Sequence, residues 1–90
     1  MTTLTVAIVD DEPLARQRLR RLLGKVGGHG IEVALECVDA EDLLEASRDK
    51  ELDVLFLDIE MPGGDAFEIL SRWQGRRPDI VFVTAYESYG

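Results

Sequence analysis

The sequence predicts an α/β protein built on a doubly wound parallel sheet. Four short apolar runs rich in β-branched residues alternate along the chain with three segments of helical periodicity. The connections are long enough for right-handed crossovers, which place helices on both faces of a parallel sheet. A length of 90 residues allows one domain with a thin core.

Composition narrows the classes of function. The chain carries 18 acidic and 10 basic residues, a net charge of −8, which argues against this segment binding nucleic acid or an anionic membrane and suits a cation site. Cys37 is the single cysteine, so we expect no intrachain disulfide and a reducing compartment. The sequence shows no signal peptide and no apolar run of membrane-spanning length, so we expect a cytoplasmic, soluble protein.

The first strand and helix are predicted at the start of the chain. Residues 5–9 form an apolar run that ends in Asp10-Asp11-Glu12, and Pro13 suits the first turn of a helix. Glycines at 24, 27, 28 and 30 end that helix. The following apolar residues recur at helical spacing and predict its buried stripe: Leu14, Ala15, Leu19, Leu22, Leu23 and Val26. The arginines are predicted on its solvated face: Arg16, Arg18, Arg20 and Arg21.

The middle of the chain predicts an edge strand and a capped helix. Residues 31–37 alternate in part between apolar and acidic, which is typical of a strand with one wetter face. Cys37, at the end of this strand, is predicted to be a small core residue. Asp39 and Asp42 resemble a capping box that opens a helix continuing to about Asp49.

The segment from Asp53 to Asp65 organises the rest of the chain. The four apolar residues 54–57 predict a strand buried on both faces, and Asp58 follows directly. Pro62 and the glycines at 63 and 64 then turn the chain. Asp65 can cap a third helix, closed by residues 76–78, whose buried stripe is predicted to be Phe67, Leu70 and Trp73. Residues 79–83 predict a fourth strand that ends at Thr84.

Polar side chains follow three of the predicted strands. Because the carboxyl ends of parallel strands share one rim, we expect Asp10, Asp11, Asp58 and Thr84 to converge there if their strands are neighbours. Gathered aspartates must take up protons or bind a cation, and Mg²⁺ prefers such oxygen ligands. A carboxylate beside that ion is also a candidate nucleophile toward phosphorus.

These motifs resemble the receiver domain of two-component response regulators over essentially all 90 residues. They are Asp10-Asp11 after the first strand, Asp58 with Met61-Pro62 after the third, and Thr84-Ala85 after the fourth. The sequences of residues 9–15 and 84–89 further resemble the subclass that carries a LytTR-type DNA-binding domain (LytR/AlgR-like). The resemblance implies a flavodoxin-like, CheY-like fold with strand order 2-1-3-4.

The resemblance also implies roles for individual residues. Asp58 would receive a phosphoryl group from a histidine kinase, and Mg²⁺ would be bound by Asp11, Asp58 and the backbone carbonyl of Glu60. Asp10 would assist the ion through water, and the Thr84 hydroxyl would report phosphorylation to the neighbouring surface. The implied protein is a signalling switch with Mg²⁺-dependent self-phosphorylation and autodephosphorylation, and it is not a metabolic enzyme.

The chain departs from the family pattern at its end. Family members carry a fifth strand with a lysine that pairs with the phosphoryl group, followed by a fifth helix. Here the lysines are Lys25 and Lys50, both before the organising strand, and Ala66 replaces a usual glycine. We therefore expect residues 1–90 to be a C-terminally incomplete receiver domain without its effector domain. An exposed fourth-strand edge or sheet face would then favour self-association.

Other functions stay open from the residues alone. The domain can be an interaction or dimerisation module that is not phosphorylated. An aspartate-nucleophile Mg²⁺ phosphatase is disfavoured because Glu60 stands where such enzymes carry a second aspartate, two residues after the nucleophile. A flavin-binding flavodoxin is disfavoured because the first loop offers acids where a phosphate requires hydroxyls and amides.

Overall fold

The computed structural model describes residues 3–58 and 66–83, in which strands and helices alternate as predicted. The strands are β1 (Leu4–Val9), β2 (Ile31–Cys37), β3 (Val54–Asp58) and β4 (Asp79–Val83). The helices are α1 (Pro13–Gly27), α2 (Ala40–Ala46) and α3 (Ala66–Ser71), with short 3₁₀ turns at Gly28–Gly30 and Ser47–Asp49.

The four strands form one parallel sheet in the order β2-β1-β3-β4, which confirms the predicted 2-1-3-4 topology. β1 and β3 lie side by side at the centre, with Val9 paired to Leu57. The carboxyl ends of these two strands are therefore neighbours. β2 is an edge strand whose Glu32 and Glu36 are exposed, as the alternating pattern indicated.

The larger part of the core lies between the sheet and the helices α2 and α3. Leu55 and Leu57 of β3 are at most 2% exposed, and they share one cluster with Leu43 of α2 and Ile69 of α3. Cys37 is 1% exposed in the same cluster, which confirms its predicted core position. The sequence pattern missed Ile69, the buried anchor of α3. Phe67 lies outside the described side chains, and Trp73 is half-buried beyond the end of the helix.

Helix α2 begins as the sequence predicts. Asp39 is its N-cap, and its Oδ1 accepts the Asp42 N–H at 2.8 Å. The Asp42 carboxylate reaches back to accept the Val38 N–H at 3.1 Å. The first bond satisfies an amide that the opening turn of the helix leaves unpaired, which confirms Asp39 as the N-cap. The second bond fixes the residue before the cap, Val38, where a capping box would bond the N–H of Asp39 itself. The cap on α3 predicted for Asp65 lies outside the described residues.

Helix α1 covers the opposite face, but not with the whole predicted stripe. Leu23 packs with Val6 and Ile8 of β1, whereas Leu14, Leu22 and Val26 are 67%, 54% and 76% exposed. The helix packs over β1 and β2, so a narrow strip of its surface is covered, and Leu14 points well away from that strip. On the same face Val54 and Phe56 of β3 stay half-buried, so the prediction that β3 is buried on both faces is only partly correct.

Two glycines explain where α1 ends. The helix passes through Gly24 and continues to Gly27, where an added Cβ would clash with the Ile31 side chain. Gly28 then adopts φ of +57°, a conformation that L side chains rarely adopt, and the chain leaves the helix. The predicted glycine-rich end is confirmed, and Gly27 is the position at which close approach of β2 requires glycine.

Strand β4 forms the other edge of the sheet among the described residues. It pairs with β3 along one side, and its Val81 and Phe82 are 43% and 54% exposed. The partners of these two residues in the register, Phe56 and Leu57, point to opposite faces of the sheet. Both faces of the sheet therefore present apolar surface near this edge.

Candidate functional site

The carboxyl ends of β1 and β3 gather three carboxylates, which we call the acidic rim: Asp10, Asp11 and Asp58. Asp10 and Asp11 follow β1, and Asp58 is the last residue of the adjacent β3. One carboxylate oxygen from each residue lies within 4.8 Å of the other two. Asp10 and Asp58 are half-buried, whereas Asp11 is exposed. Residues 48 positions apart in sequence thus converge because their strands are neighbours.

Hydrogen bonds hold the loop that carries Asp10. Its N–H donates to the Cys37 carbonyl at 3.0 Å, which ties the end of β1 to the end of β2. Its side-chain Oδ1 accepts the Glu12 N–H at 2.9 Å, a local turn that leads into α1. Its carbonyl accepts a bond from Arg16 Nη1 at 2.8 Å. Backbone and side chain of Asp10 are therefore both held before any ligand binds.

The electrostatics of the rim combine partial burial with neighbouring like charge. Burial raises the pKa of the Asp10 carboxyl, the Glu12 N–H bond opposes that rise, and the nearby charges of Asp58 and Asp11 add to it. A cation between the three carboxylates would relieve both the desolvation and the repulsion. The donors are all oxygen, and one side is open at Asp11, which suits Mg²⁺ because this ion keeps several waters. The residues present therefore fit a hard divalent cation.

Two predicted site residues cannot be compared with the structure. Glu60, named for its backbone carbonyl, and Thr84, named for its hydroxyl, lie outside the described residues. Their roles stay predictions.

Arg16 is the residue at this site that the sequence pattern missed. It was predicted on the solvated face of α1, but its side chain is 18% exposed and reaches both the Asp10 carbonyl and Glu36 of β2. The available signal was its position in the first turn of the helix that leaves the rim. A basic side chain there lies within reach of the end of β1.

Comparison with known proteins agrees with this geometry. A family model described as the response regulator receiver domain matches residues 6–89. The chain belongs to the response regulator receiver family. Receiver domains of this family bind Mg²⁺ at an acidic pocket and interact with histidine kinases.

Two curated relatives show how the receiver domain sits in longer proteins. The transcriptional regulatory protein BtsR of Salmonella typhi is 46% identical over 87 residues, covering 96% of this chain and 36% of the relative. The positive alginate biosynthesis regulatory protein of Pseudomonas aeruginosa is 36% identical over 88 residues, covering 96% and 35%. The chain thus spans about a third of the length of these relatives.

Solved structures share the fold. The response regulatory domain of mrkE from Klebsiella pneumoniae superposes with a TM-score of 0.75 and 32% identity, covering 93% of this chain and 69% of that one. The isolated receiver domain of RcsB from Salmonella enterica serovar Typhimurium, solved with the phosphomimetic BeF₃⁻, gives a TM-score of 0.73. It is 22% identical and covers 97% of this chain and 65% of that one, so it supports the fold alone.

No helix within the described ranges is long and apolar enough to cross a bilayer.

Proposed function

We propose that this receiver domain takes a phosphoryl group onto the Asp58 carboxylate from a phosphohistidine of a sensor histidine kinase, with Mg²⁺ bound at the acidic rim. The observation that carries the proposal is the approach of the Asp10, Asp11 and Asp58 carboxylate oxygens to within 4.8 Å of one another. A structural aspartate needs no such like-charged neighbours, and their repulsion costs stability unless a ligand offsets it.

The chemistry follows from the position of Asp58. One carboxylate oxygen attacks phosphorus, an O–P bond forms, and the P–N bond to the kinase imidazole breaks with its electron pair left on nitrogen. Asp11, Asp58 and the Glu60 carbonyl would hold the ion, and Asp10 would hold one of its waters. Bound Mg²⁺ would neutralise charge on the phosphoryl oxygens. The Thr84 hydroxyl would bond one of those oxygens and so report phosphorylation.

The output is proposed from the relatives. BtsR is named a transcriptional regulatory protein and the Pseudomonas relative an alginate biosynthesis regulator. We infer that this receiver controls a DNA-binding effector domain of the LytTR type in a cytoplasmic transcription regulator. The segment itself, with a net charge of −8, is not expected to bind DNA.

Self-association through β4 is part of the proposal. Val81 and Phe82 expose apolar surface on a strand that, in the described part of the sheet, pairs along one side only. Two copies joined at this edge would cover both side chains. Gel filtration with light scattering at dilute concentration tests this point, with Phe82→Glu as the variant expected to dissociate the dimer. A stable monomer of the unmodified chain would contradict it.

Intact mass after incubation with a small phosphodonor and Mg²⁺ tests the main proposal. We expect the chain to gain one phosphoryl group, and we expect Asp58→Ala or removal of the metal to abolish that gain. Asp53→Asn, at the other end of the same strand, is the matched control and should gain the group normally. No gain in the unmodified chain despite bound Mg²⁺ would favour an interaction module, and turnover of phosphate esters would favour a phosphatase.

A further inference from the structure

Arg16 connects helix α1 to the backbone of the acidic rim. Its Nη1 donates to the Asp10 carbonyl at 2.8 Å, and its side chain is 18% exposed. Its Nε lies 3.7 Å from Glu36 Oε1, while Arg20 Nε lies 3.0 Å from Glu36 Oε2. Glu36 therefore holds two arginines one helical turn apart, of which Arg16 is the one bonded to the rim.

The bonded carbonyl belongs to the peptide plane between Asp10 and Asp11. Because a peptide is planar, fixing that carbonyl orients both the end of Asp10 and the start of Asp11. The N–H of Asp10 is already fixed by the Cys37 carbonyl at 3.0 Å. Arg16 thus supplies the second anchor of the loop, on the side that leads to Asp11.

We propose that Arg16 is a positioning residue that fixes the Asp10–Asp11 peptide plane and so preorganises the rim carboxylates for a divalent cation, with Glu36 orienting its guanidinium. The inference rests on the proposed function, because it assigns Arg16 to the same cation site. The role assigned to Arg16 is exerted through the backbone of Asp10, to whose carbonyl it donates.

The direction in which Mg²⁺ affinity changes when Arg16 is replaced distinguishes a positioning role from a simple effect of its charge. A positive charge beside a cation site repels the cation, so an arginine that acts through charge alone would weaken Mg²⁺ binding, and its removal would strengthen it. An arginine that holds the loop has the opposite effect. Removing it frees the Asp10 carbonyl, and the carboxylates must then be ordered when the ion binds.

Mg²⁺ titration of the rim amide signals by NMR is the test, applied to the unmodified chain, Arg16→Met, Arg16→Lys and Arg20→Met. For Arg16→Met we expect the Kd to rise about fivefold, the loss of roughly one hydrogen bond. Arg16→Lys retains the charge but not the fork of donors, and it should weaken binding about twofold to threefold. Arg20→Met loses the contact with Glu36 but no bond to Asp10, and its Kd should stay the same or fall slightly.

The outcomes distinguish this inference from the proposed function. An unmodified chain that binds no Mg²⁺ would overturn the proposed function and this inference with it. Mg²⁺ binding that is equal or tighter in Arg16→Met would overturn the role of Arg16 alone. If Arg16→Met does not fold, Arg16→Lys decides the question, because its unchanged charge leaves geometry as the variable. An unchanged Kd in folded Arg16→Lys would then contradict the proposal.

Discussion

Strand β3 has an aspartate just before its start, Asp53, and another as its last residue, Asp58, and the two have different surroundings. Asp53, just before the strand, accepts the Thr5 N–H at Oδ2 (2.8 Å) and Arg76 Nη2 at Oδ1 (3.1 Å). Its own backbone donates to the Thr5 carbonyl at 2.7 Å and accepts from Asp79 at 3.0 Å. The Thr5 bond and the Arg76 guanidinium lower the pKa of the Asp53 carboxyl. Asp53 thus fastens the starts of three strands.

Asp58, at the other end of the strand, faces other carboxylates. Its neighbours Asp10 and Asp11 carry the same charge, and the pKa of the Asp10 carboxyl is raised by burial and by this crowding. One end of the sheet therefore surrounds its aspartate with donors from Thr5 and Arg76, and the other end brings three carboxylates within 4.8 Å of one another. The first arrangement stabilises the fold. The second destabilises it through repulsion between carboxylates, which a bound cation can offset.

The largest expected effect comes from breaking the Asp53 end. Asp53→Ala leaves the Thr5 N–H and Arg76 without their acceptor, so the melting temperature should fall by several degrees. Asp53→Asn keeps an acceptor for Thr5 and should lose less. Because the pKa of Asp53 is lowered in the folded state, its charge stabilises above the ordinary value of 3.8, and that contribution disappears as pH falls through the folded pKa. Thermal unfolding at pH 7 and at low pH checks both points, and an unchanged melting temperature at pH 7 would contradict them.

Mg²⁺ should stabilise the Asp58 end specifically. At a free concentration ten times its Kd, one bound ion raises the free energy of unfolding by about 1.4 kcal/mol. Denaturant unfolding with and without Mg²⁺, at ionic strength matched with NaCl, measures this increment. We expect most of it to be lost in Asp58→Ala and all of it to be retained in Asp53→Asn. Equal increments in the two variants would remove the distinction between the two ends.

Removing one carboxylate charge from the acidic rim in the absence of metal should give a smaller gain in thermal stability. Asp10→Asn keeps an Oδ1 acceptor for the Glu12 N–H and removes one charge, so the metal-free melting temperature at neutral pH should rise by roughly 2–4 °C. A carboxyl with a raised folded pKa costs stability as pH rises from 3.8 through that pKa. The gain from Asp10→Asn should therefore vanish below pH 3.8. A melting temperature below that of the unmodified chain at neutral pH would contradict the account.

Much of the fold follows from local sequence patterns. The apolar runs that end in Asp10 and Asp58 predict strands and also the rim, because parallel strands point their carboxyl ends the same way. The Asp39 cap is equally local, since its bonds reach only three or four residues. Predictions from patterns of this kind do not depend on how the helices and strands pack against one another.

Helix facing could not be predicted in the same way. Periodicity shows that α1 is amphipathic, but its position over β1 and β2 decides that Leu23 is buried and Leu22 is exposed. The same placement turns Arg16 toward the Asp10 carbonyl, although its sequence neighbours indicate a solvated face. Ile69 was missed because α3 is six residues long, too short for its apolar residues to define one stripe.

An NMR titration with Mg²⁺ that follows the backbone amides of Asp58 and Asp53 in the same sample tests the central claim most directly. The amides of Asp10, Asp11 and Asp58 should shift together along one saturable curve, because a single ion binds among their carboxylates. The Asp53 amide should stay in place, since its carboxylate already has partners. Equal, non-saturating shifts at both ends of β3 would show that the acidic rim is no cation site.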